Sequence, residues 1–343
     1  MLTFHLHKSD ISALRELVGE LTRHYDTVES AEFQREVKLY ADELSRPLRK
    51  ALHEYRTTEE SGTLVIRGLS VEDGKLCPTP VTRGAKPVPS PTLSHDIAFY
   101  LISCLLGEPI GWATQQDGYV MHDVYPVKGF EHEQIGWGSE ETLTWHTEDA
   151  FHPLRTDYLG LMCLRNPDDV VTTFADIADV KIDDATRAVL LEERFRILPD
   201  DSHRPRNGAA GEDSDDRVAR LLRRSRERVE RALVSPEPVA VLFGDPDDPY
   251  VRLDPHYMAG VQQGETERQA LEKTVAAVDA ALTGVVLQPG DICFIDNYRV
   301  VHGRKPFRAR FDGTDRWLRR LNVARDLRGS RAYRLTAESR VLH

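Results

Sequence analysis

The chain has 343 residues and a formal net charge of −11 at pH 7. A chain this acidic is not a general nucleic-acid binder, because phosphate backbones are held by basic surfaces. Its longest apolar stretch, residues 97–106, is much shorter than the roughly 20 residues that cross a bilayer. We therefore expect neither a nucleic-acid partner nor a membrane.

The cysteines and the first residues predict the compartment. None of the four cysteines belongs to a C-x-x-C pair, and so few isolated cysteines are typical of a reducing environment. The first residues lack the basic-then-apolar order of a signal peptide. We expect a cytoplasmic protein, and the sequence does not indicate its oligomeric state.

Helical periodicity dominates the first hundred residues. Ser9 is the predicted N-cap of a first helix, whose apolar face runs through residues 11–21. Residues 33–52 carry apolar side chains at spacings of three and four, and Pro47 among them predicts a kink or a break. The elements predicted next are a strand at 63–69, a proline-rich loop at 78–92 and a buried helix at 97–106.

From about residue 110 the pattern changes to short strands separated by Gly, Pro and Asp. Strands are predicted at 118–125, 142–146, 157–165, 170–176, 238–243, 249–254, 285–288, 291–296, 298–302 and 316–324, with helices at 183–196 and 265–282. Such a series predicts a mainly β fold, a sandwich or barrel-like core with helical decoration. No linker is evident, so a helical part (1–109) and a β part (110–343) are expected to form one domain.

Two segments of biased composition lie inside the β part. Residues 199–217 hold almost no large apolar side chain, which is typical of a functional lid or of a disordered insertion. The arginine-rich run at 217–231 follows it, and we interpret this run as the solvated face of a helix rather than an anion site.

A candidate metal site begins with the pair His146 and Glu148. Residues i and i+2 of a strand point to the same side, so the imidazole and the carboxylate can lie side by side. His302, in a later predicted strand, is the best candidate for a third ligand. Two histidines and one carboxylate form the facial triad of non-haem Fe(II) oxygenases, which leaves three coordination positions open. An H-x-E pair alone is common, so its surroundings must support the interpretation.

Two arginines supply part of that support. Arg316 lies fourteen residues after His302, and Arg320 follows four residues later. Because arginine binds carboxylates bidentately, one of them can hold the distal carboxylate of 2-oxoglutarate. The alternative for each is a surface ion pair. Zinc-dependent hydrolysis and non-catalytic binding remain alternatives, although neither requires this second carboxylate clamp.

Several longer stretches carry a resemblance to a known family. The chain resembles the clavaminate synthase-like Fe(II)/2-oxoglutarate oxygenases, and most of all the free L-arginine β-hydroxylases of the viomycin-pathway type. The matching stretches are GWATQQDG (111–118), WHTEDAFHPLRTDYLGLMCLRNPD (145–168), ERFRILPDDSH (193–203), GDICFIDNYRVVHGR (290–304) and DGTDRWLRRLNVARDLRGSR (312–331). This resemblance implies a double-stranded β-helix (jelly-roll) core preceded by helices, with a lid near 199–217.

The resemblance also implies a role for each matching residue, with Fe(II) as cofactor and 2-oxoglutarate and O₂ as cosubstrates. The implied iron ligands are His146, Glu148 and His302. Arg316 would hold 2-oxoglutarate together with Thr172. In the substrate subsite, Gln115 and Glu148 would contact the amino group, and Arg320 the α-carboxylate. The expected reaction is hydroxylation of an unactivated C–H, at Cβ, of free L-arginine or an arginine-derived amino acid, for antibiotic or non-ribosomal peptide building blocks.

The chain departs from the arginine hydroxylases at two places. They set two aspartates, one residue apart, against the guanidinium group, whereas here Asp254 fits the first position and His256 replaces the second. The change favours a modified guanidine such as enduracididine, or the neutral ureido group of citrulline, unless His256 merely lines the pocket. The second departure, at 134–138, introduces Trp137, which either reshapes the pocket or packs in the core.

Overall fold

The computed structural model describes residues 1–82, 84, 86–203, 216–262 and 264–343. Its helices are α1 (Lys8–Leu21), α2 (Ala31–Ala41), α3 (Arg46–Thr58), α4 (Leu93–Ser103), α5 (Asp184–Leu190), α6 (Arg217–Val234), α7 (Pro255–Met258) and α8 (Glu265–Ala281). Its strands are β1 (Leu2–His5), β2 (Thr63–Arg67), β3 (Glu108–Trp112), β4 (Met121–Val124), β5 (Leu143–His146), β6 (Tyr158–Arg165), β7 (Val171–Asp176), β8 (Leu242–Gly244), β9 (Pro249–Val251), β10 (Thr283–Val286), β11 (Ile292–Asp296), β12 (Val300–Arg304), β13 (Trp317–Ala324) and β14 (Val341–Leu342). Most of the segment predicted as a lid, residues 204–215, lies outside the described residues.

Two sheets form the core. The larger has the order β1-β2-β11-β6-β13-β3-β14, with β4 also paired to β13, and the smaller has the order β10-β7-β12-β5. Buried side chains from both sheets, such as Leu161 and Leu318 of the larger and Phe174 and Val300 of the smaller, belong to one apolar cluster. The sheets therefore face each other, and the predicted mainly β architecture with added helices is confirmed.

Helices cover the outer sides of both sheets. The apolar faces of α1 to α4 pack with Ile66, Met162 and Phe294 of the larger sheet. Side chains of α8 pack with Ala175 and Val301 of the smaller sheet. Central strands such as β6 and β11 are buried on both faces, one in the interior and the other under helices, so their sequences are largely apolar on both sides.

The break predicted in residues 33–52 is present. Helix α2 ends at Ala41, and α3 begins with Pro47 in its first turn, where proline costs no hydrogen bond. Ser45 caps α3 by accepting a hydrogen bond from the Leu48 N–H (3.4 Å). The predicted N-cap at Ser9 is wrong: α1 begins at Lys8, and the N-cap is His7, whose N–H donates to the Asp10 carboxylate (2.9 Å).

Three short strands were absent from the sequence prediction. They are β1, β3 and β14, and all three belong to the larger sheet. With β2, the strands β1 and β3 bring backbone from the first 112 residues into the sheet that carries β13. Among the described residues, no helix is both long and apolar enough to cross a membrane.

Candidate active site

Two adjacent strands bring the predicted metal ligands together. His302 of β12 lies directly opposite His146 of β5 in antiparallel register. Glu148 follows two residues after His146, and its Oε2 lies 3.6 Å from His146 Nε2 and 3.5 Å from His302 Nε2. The structure therefore places all three predicted ligands around one point.

The three side chains also present suitable atoms to a metal. The Nδ1–H of His146 donates to the Thr144 carbonyl (2.8 Å), which leaves Nε2 as the ring nitrogen that faces Glu148. Nδ1 of His302 is buried and has no partner among the described residues. The three ligand atoms lie within 4.8 Å of one another. Two imidazole nitrogens and one carboxylate on one side of an open cavity fit Fe(II).

A nearby arginine sets the charge state of this cluster. Burial favours the neutral form of Glu148, but Arg320 and the two histidines hold the pKa of its carboxyl well below its usual range. Arg320 Nη1 donates to Glu148 Oε1 (2.7 Å), so Oε2 remains to face the histidines. The pKa of His146 is raised to about 9, because Glu148 and Asp254 outweigh the effect of burial. Glu148 therefore stabilises positive charge on the neighbouring His146.

The backbone around Glu148 leaves the sheet. Strand β5 ends at His146, and Asp149 adopts a φ of +50°, which is rare for a residue with a side chain. Asn297, in the turn between β11 and β12, takes the place of a neighbouring strand. Its Oδ1 accepts from the Glu148 N–H (2.7 Å), and its Nδ2 donates to the Glu148 carbonyl (3.0 Å).

Arg316 is a buried cation that makes no ion pair within 4 Å among the residues that the structure describes. Its Nη2 donates to Thr172 Oγ1 (3.3 Å), while its Nε has no partner among the described residues. Burial lowers the pKa of Arg316 to about 10, and the neighbouring Arg304 has its pKa lowered to about 9 by burial and by the charge of Arg316. Two such cations on one cavity wall fit a carboxylate of 2-oxoglutarate.

All nine predicted site residues line the same cavity. They are His146, Glu148, His302, Arg316, Thr172, Gln115, Asp254, His256 and Arg320. Leu159 and Leu161 of the larger sheet and Gly303 of the smaller also line it, so the cavity lies between the sheets. The prediction that these distant segments converge is therefore consistent with the geometry.

The substrate candidates differ in their surroundings. Gln115 Oε1 accepts from Arg320 Nη2 (3.3 Å), and its amide donates to Ser202 Oγ (2.7 Å). Asp254 is buried and caps α7 by accepting from the Tyr257 N–H (3.2 Å). Burial raises the pKa of Asp254 to about 6, and the charge of Asp200 adds to the effect. His256, in contrast, is exposed.

Three further residues belong to this region although the sequence analysis did not predict them: Asp200 and Asp149 line the cavity, and His203 contacts Asp149. Asp200 lines the cavity, and it supplies a second carboxylate from a different segment than Asp254. Asp149 is buried and accepts from Trp112 Nε1 (2.7 Å), while its Oδ1 lies 2.8 Å from His203 Nε2. The stretch 193–203 resembled the arginine hydroxylases, and this was the one available signal for Asp200 and His203.

Trp137 is half-buried and packs against the core. It lies edge-on to Phe130, with ring centroids 5.8 Å apart, and it packs against the cluster that contains Tyr125 and Trp317. Its neighbours Gln134, Ile135 and Gly136 line the cavity instead. Of the two alternatives for Trp137, the structure supports packing.

Known proteins match this chain along its length. The model of the family "Taurine catabolism dioxygenase TauD, TfdA family" matches residues 95–322. The enduracididine beta-hydroxylase of Streptomyces hygroscopicus is 70% identical over 343 residues, which is 100% of both chains. The L-ornithine/L-arginine 3-hydroxylase of Catenulispora acidiphila is 42% identical over 339 residues, or 98% of each chain.

A solved structure shows the same fold. The non-heme iron oxygenase OrfP, crystallised with Fe, succinate and (3S)-hydroxy-L-Arg, superposes with a TM-score of 0.91 at 38% identity and 100% coverage of both chains. The resemblance to these oxygenases and the predicted jelly-roll fold are thereby confirmed. The chain belongs to the TauD/TfdA family of dioxygenases.

Proposed function

We propose that this protein is an Fe(II)- and 2-oxoglutarate-dependent dioxygenase that hydroxylates Cβ of a free guanidine-bearing amino acid, enduracididine first and L-arginine second. The name of the 70% identical relative supports this order. OrfP has been crystallised with Fe and α-ketoglutaric acid as well as with hydroxylated arginine. The substrate would be a building block for an antibiotic or another non-ribosomal peptide.

We assign the metal site to His146, Glu148 and His302. Bound Fe(II), together with 2-oxoglutarate and O₂, supplies the oxidising power to remove hydrogen from an unactivated C–H bond. Arg316 and Thr172 would hold the distal carboxylate of 2-oxoglutarate. This role supplies the carboxylate that the buried guanidinium lacks among the described residues. The protein's own task is to place the substrate and to exclude water.

One observation carries the choice of substrate: a single cavity holds cationic and anionic groups that match an amino acid with a cationic side chain. Arg320 would bind the α-carboxylate, and Gln115 and Glu148 the ammonium group. The carboxylates of Asp254 and Asp200 remain for a guanidinium. Asp254 makes no ion pair within 4 Å in the described part of the chain, so a cationic ligand would relieve its buried charge.

The exchange of an aspartate for His256 ranks the candidate substrates. Plain arginine would lose one carboxylate on the chain segment of Asp254, which weakens a cage for its extended guanidinium. The cyclic guanidine of enduracididine keeps a positive charge for Asp254 while presenting a more compact group. Citrulline has a neutral ureido group and leaves Asp254 without a cation, so we place it third.

The test is substrate-dependent succinate formation after anaerobic purification and Fe(II) loading. Enduracididine should give the highest rate and a product heavier by one oxygen, with arginine slower and citrulline slowest. If no amino acid stimulates succinate formation, a non-catalytic binding protein would be the better explanation. His302→Ala should abolish turnover, and full turnover by this variant would remove the metal assignment.

We also propose a single oxygenase domain and a cytoplasmic location. Strands from residues 1–109 share a sheet with β13, which supports one folding unit. All four cysteines are free, and three of them are buried, as expected in a reducing compartment.

A further inference from the structure

The three proposed metal ligands are not held in the same way. His146 and His302 face each other as paired residues of β5 and β12, so backbone hydrogen bonds of the sheet set their separation. Glu148 lies beyond the end of β5 and has no strand partner. Its backbone N–H and carbonyl are nevertheless buried, and buried peptide groups require hydrogen-bond partners.

Asn297 supplies both partners at once. Its Oδ1 accepts from the Glu148 N–H, and its Nδ2 donates to the carbonyls of Glu148 and Thr156 (2.9 Å to the latter). The side chain is fully buried, and both amide hydrogens are used. A carboxamide offers a donor and an acceptor at the spacing of a peptide group, and it does so without having to take up a proton.

The position of Asn297 in the chain shows what its hydrogen bonds to Glu148 connect. It begins the turn that leads from β11 into β12, five residues before His302. Its own N–H donates to the Asp157 carbonyl (2.9 Å), which fixes the turn to the start of β6. Glu148 is therefore tied to the turn that leads into β12, the strand that carries His302, although Glu148 itself does not belong to a sheet.

We propose that Asn297 is a positioning residue for metal binding, which holds the carboxylate ligand Glu148 in register with the two histidines. Metal sites tolerate displacements of only about 0.5 Å in their ligands. Residues that orient ligands in this way are typically worth about 10- to 100-fold in metal affinity. The inference rests on the proposed metal site, and it concerns how the chain preorganises that site.

The chain contains a matched control. Asn166 is also buried, and its Nδ2 donates to the carbonyls of Val170 (3.2 Å) and Leu287 (3.1 Å) while its Oδ1 accepts from the Val170 N–H (3.0 Å). Its side chain thus makes hydrogen bonds of the same number and kind as that of Asn297, but it contacts no proposed metal ligand. Equal substitutions at the two positions remove equal numbers of hydrogen bonds.

The experiment measures Mn(II) affinity, with free Mn(II) quantified by its electron paramagnetic resonance signal, and unfolding midpoints in the absence of metal. Asn297→Ala and Asn297→Ser should weaken Mn(II) binding by about 10- to 100-fold. Asn166→Ala and Asn166→Ser should leave the dissociation constant within error of the unchanged protein while lowering the unfolding midpoint comparably. The serine variants retain a polar group and guard against loss of the fold in the alanine variants.

Two results would overturn the proposal. One is equal Mn(II) affinity in the folded variants of both positions. The other is loss of the folded state with every substitution at 297 and none at 166, because Asn297 would then be structural rather than a positioning residue. His146→Ala distinguishes a failure of the metal site itself: if that variant also binds Mn(II) normally, the metal assignment is wrong, and the comparison of asparagines loses its premise.

Discussion

Replacing Arg316 by methionine should weaken cosubstrate binding and yet stabilise the protein that lacks cosubstrate. Arg316 is 4% exposed, and among the described residues its one hydrogen bond to a side chain goes to Thr172 at 3.3 Å. A pKa lowered from 12.5 to about 10 means that burial destabilises the charged form by about 3 kcal/mol. Methionine removes that charge and fills much of the same volume with apolar atoms.

The loss in function follows from the carboxylate that Arg316 is proposed to bind. Removing one partner of a buried charged pair costs about 2–5 kcal/mol. The lower limit corresponds to about a 30-fold increase in the KM for 2-oxoglutarate. Since the substrate subsite is built from other residues, the KM for the amino acid should change much less.

Arg319 provides the control, since it is equally buried but already paired. Its guanidinium donates to Asp96 (2.8 Å) and to Asp123, and these carboxylates raise its pKa above the usual range. Arg319→Met leaves the buried carboxylate of Asp96 without its cation and leaves Asp123 with Lys86 alone, which should destabilise the protein by about 3–5 kcal/mol.

The assay combines succinate formation at varied 2-oxoglutarate with thermal unfolding in its absence. Arg316→Met should raise the melting temperature and the KM together, while Arg319→Met should lower the melting temperature. An unchanged KM for 2-oxoglutarate in Arg316→Met, with a melting temperature lowered as in Arg319→Met, would refute the reasoning.

Three further predictions concern charge and selectivity. Burial raises the pKa of Asp254 to about 6, so kcat/KM for cationic L-arginine should fall as the pH drops through 6 and the carboxyl takes up a proton. Asp254→Asn should remove this inflection from the pH profile. If the inflection persists in the variant, Asp254 is not the group responsible. His256→Asp should shift the ratio of kcat/KM for arginine over enduracididine about tenfold toward arginine, the value of one charge-assisted hydrogen bond; an unchanged ratio would mean that His256 only lines the pocket. Burial lowers the pKa of His152 to about 3, below about 6.5 in the unfolded chain, so its contribution to stability is complete above pH 6.5 and is lost as the pH falls toward 3. His152→Asn keeps an acceptor for the Leu154 N–H and should reduce the loss of unfolding free energy between pH 7 and 5 by about 2 kcal/mol. Urea denaturation of both proteins at both pH values measures this difference. If the unchanged protein and the variant lose the same unfolding free energy between pH 7 and 5, the assignment to His152 is wrong.

The strands of the core could be predicted because burial on both faces produces continuous apolar runs between turn residues. The three missed strands lack such runs. β3 contains Pro109 and Gly111, and β14 has only two residues, so their place in the sheet depends on neighbours distant in the chain. Ser9 was a reasonable cap by residue type, but the N-cap is His7, two residues earlier, where the Asp10 carboxylate accepts from the His7 N–H.

The site likewise contains residues that the sequence could predict and residues that it could not. His146 and Glu148 could be recognised from their spacing, and His302 from the strand around it. Asn297 could not be recognised, because its partner Glu148 lies 149 residues earlier. Asp200 was hidden in a polar stretch whose composition is that of any exposed loop. Its approach to Asp254 results from tertiary packing, which local pattern does not encode.

The residues that line the cavity come from two kinds of segment. The groups proposed to bind iron, the distal carboxylate of 2-oxoglutarate and the α-carboxylate of the substrate come from the paired strands or lie directly beside them. Asp200 precedes a short turn, and Asp254 and His256 belong to the first turn of a four-residue helix. We therefore expect that a few replacements within these two short segments would change which substrate side chain is bound, without disturbing any strand pairing. The residues proposed to bind iron and the residues proposed to bind the substrate side chain can thus change independently of one another.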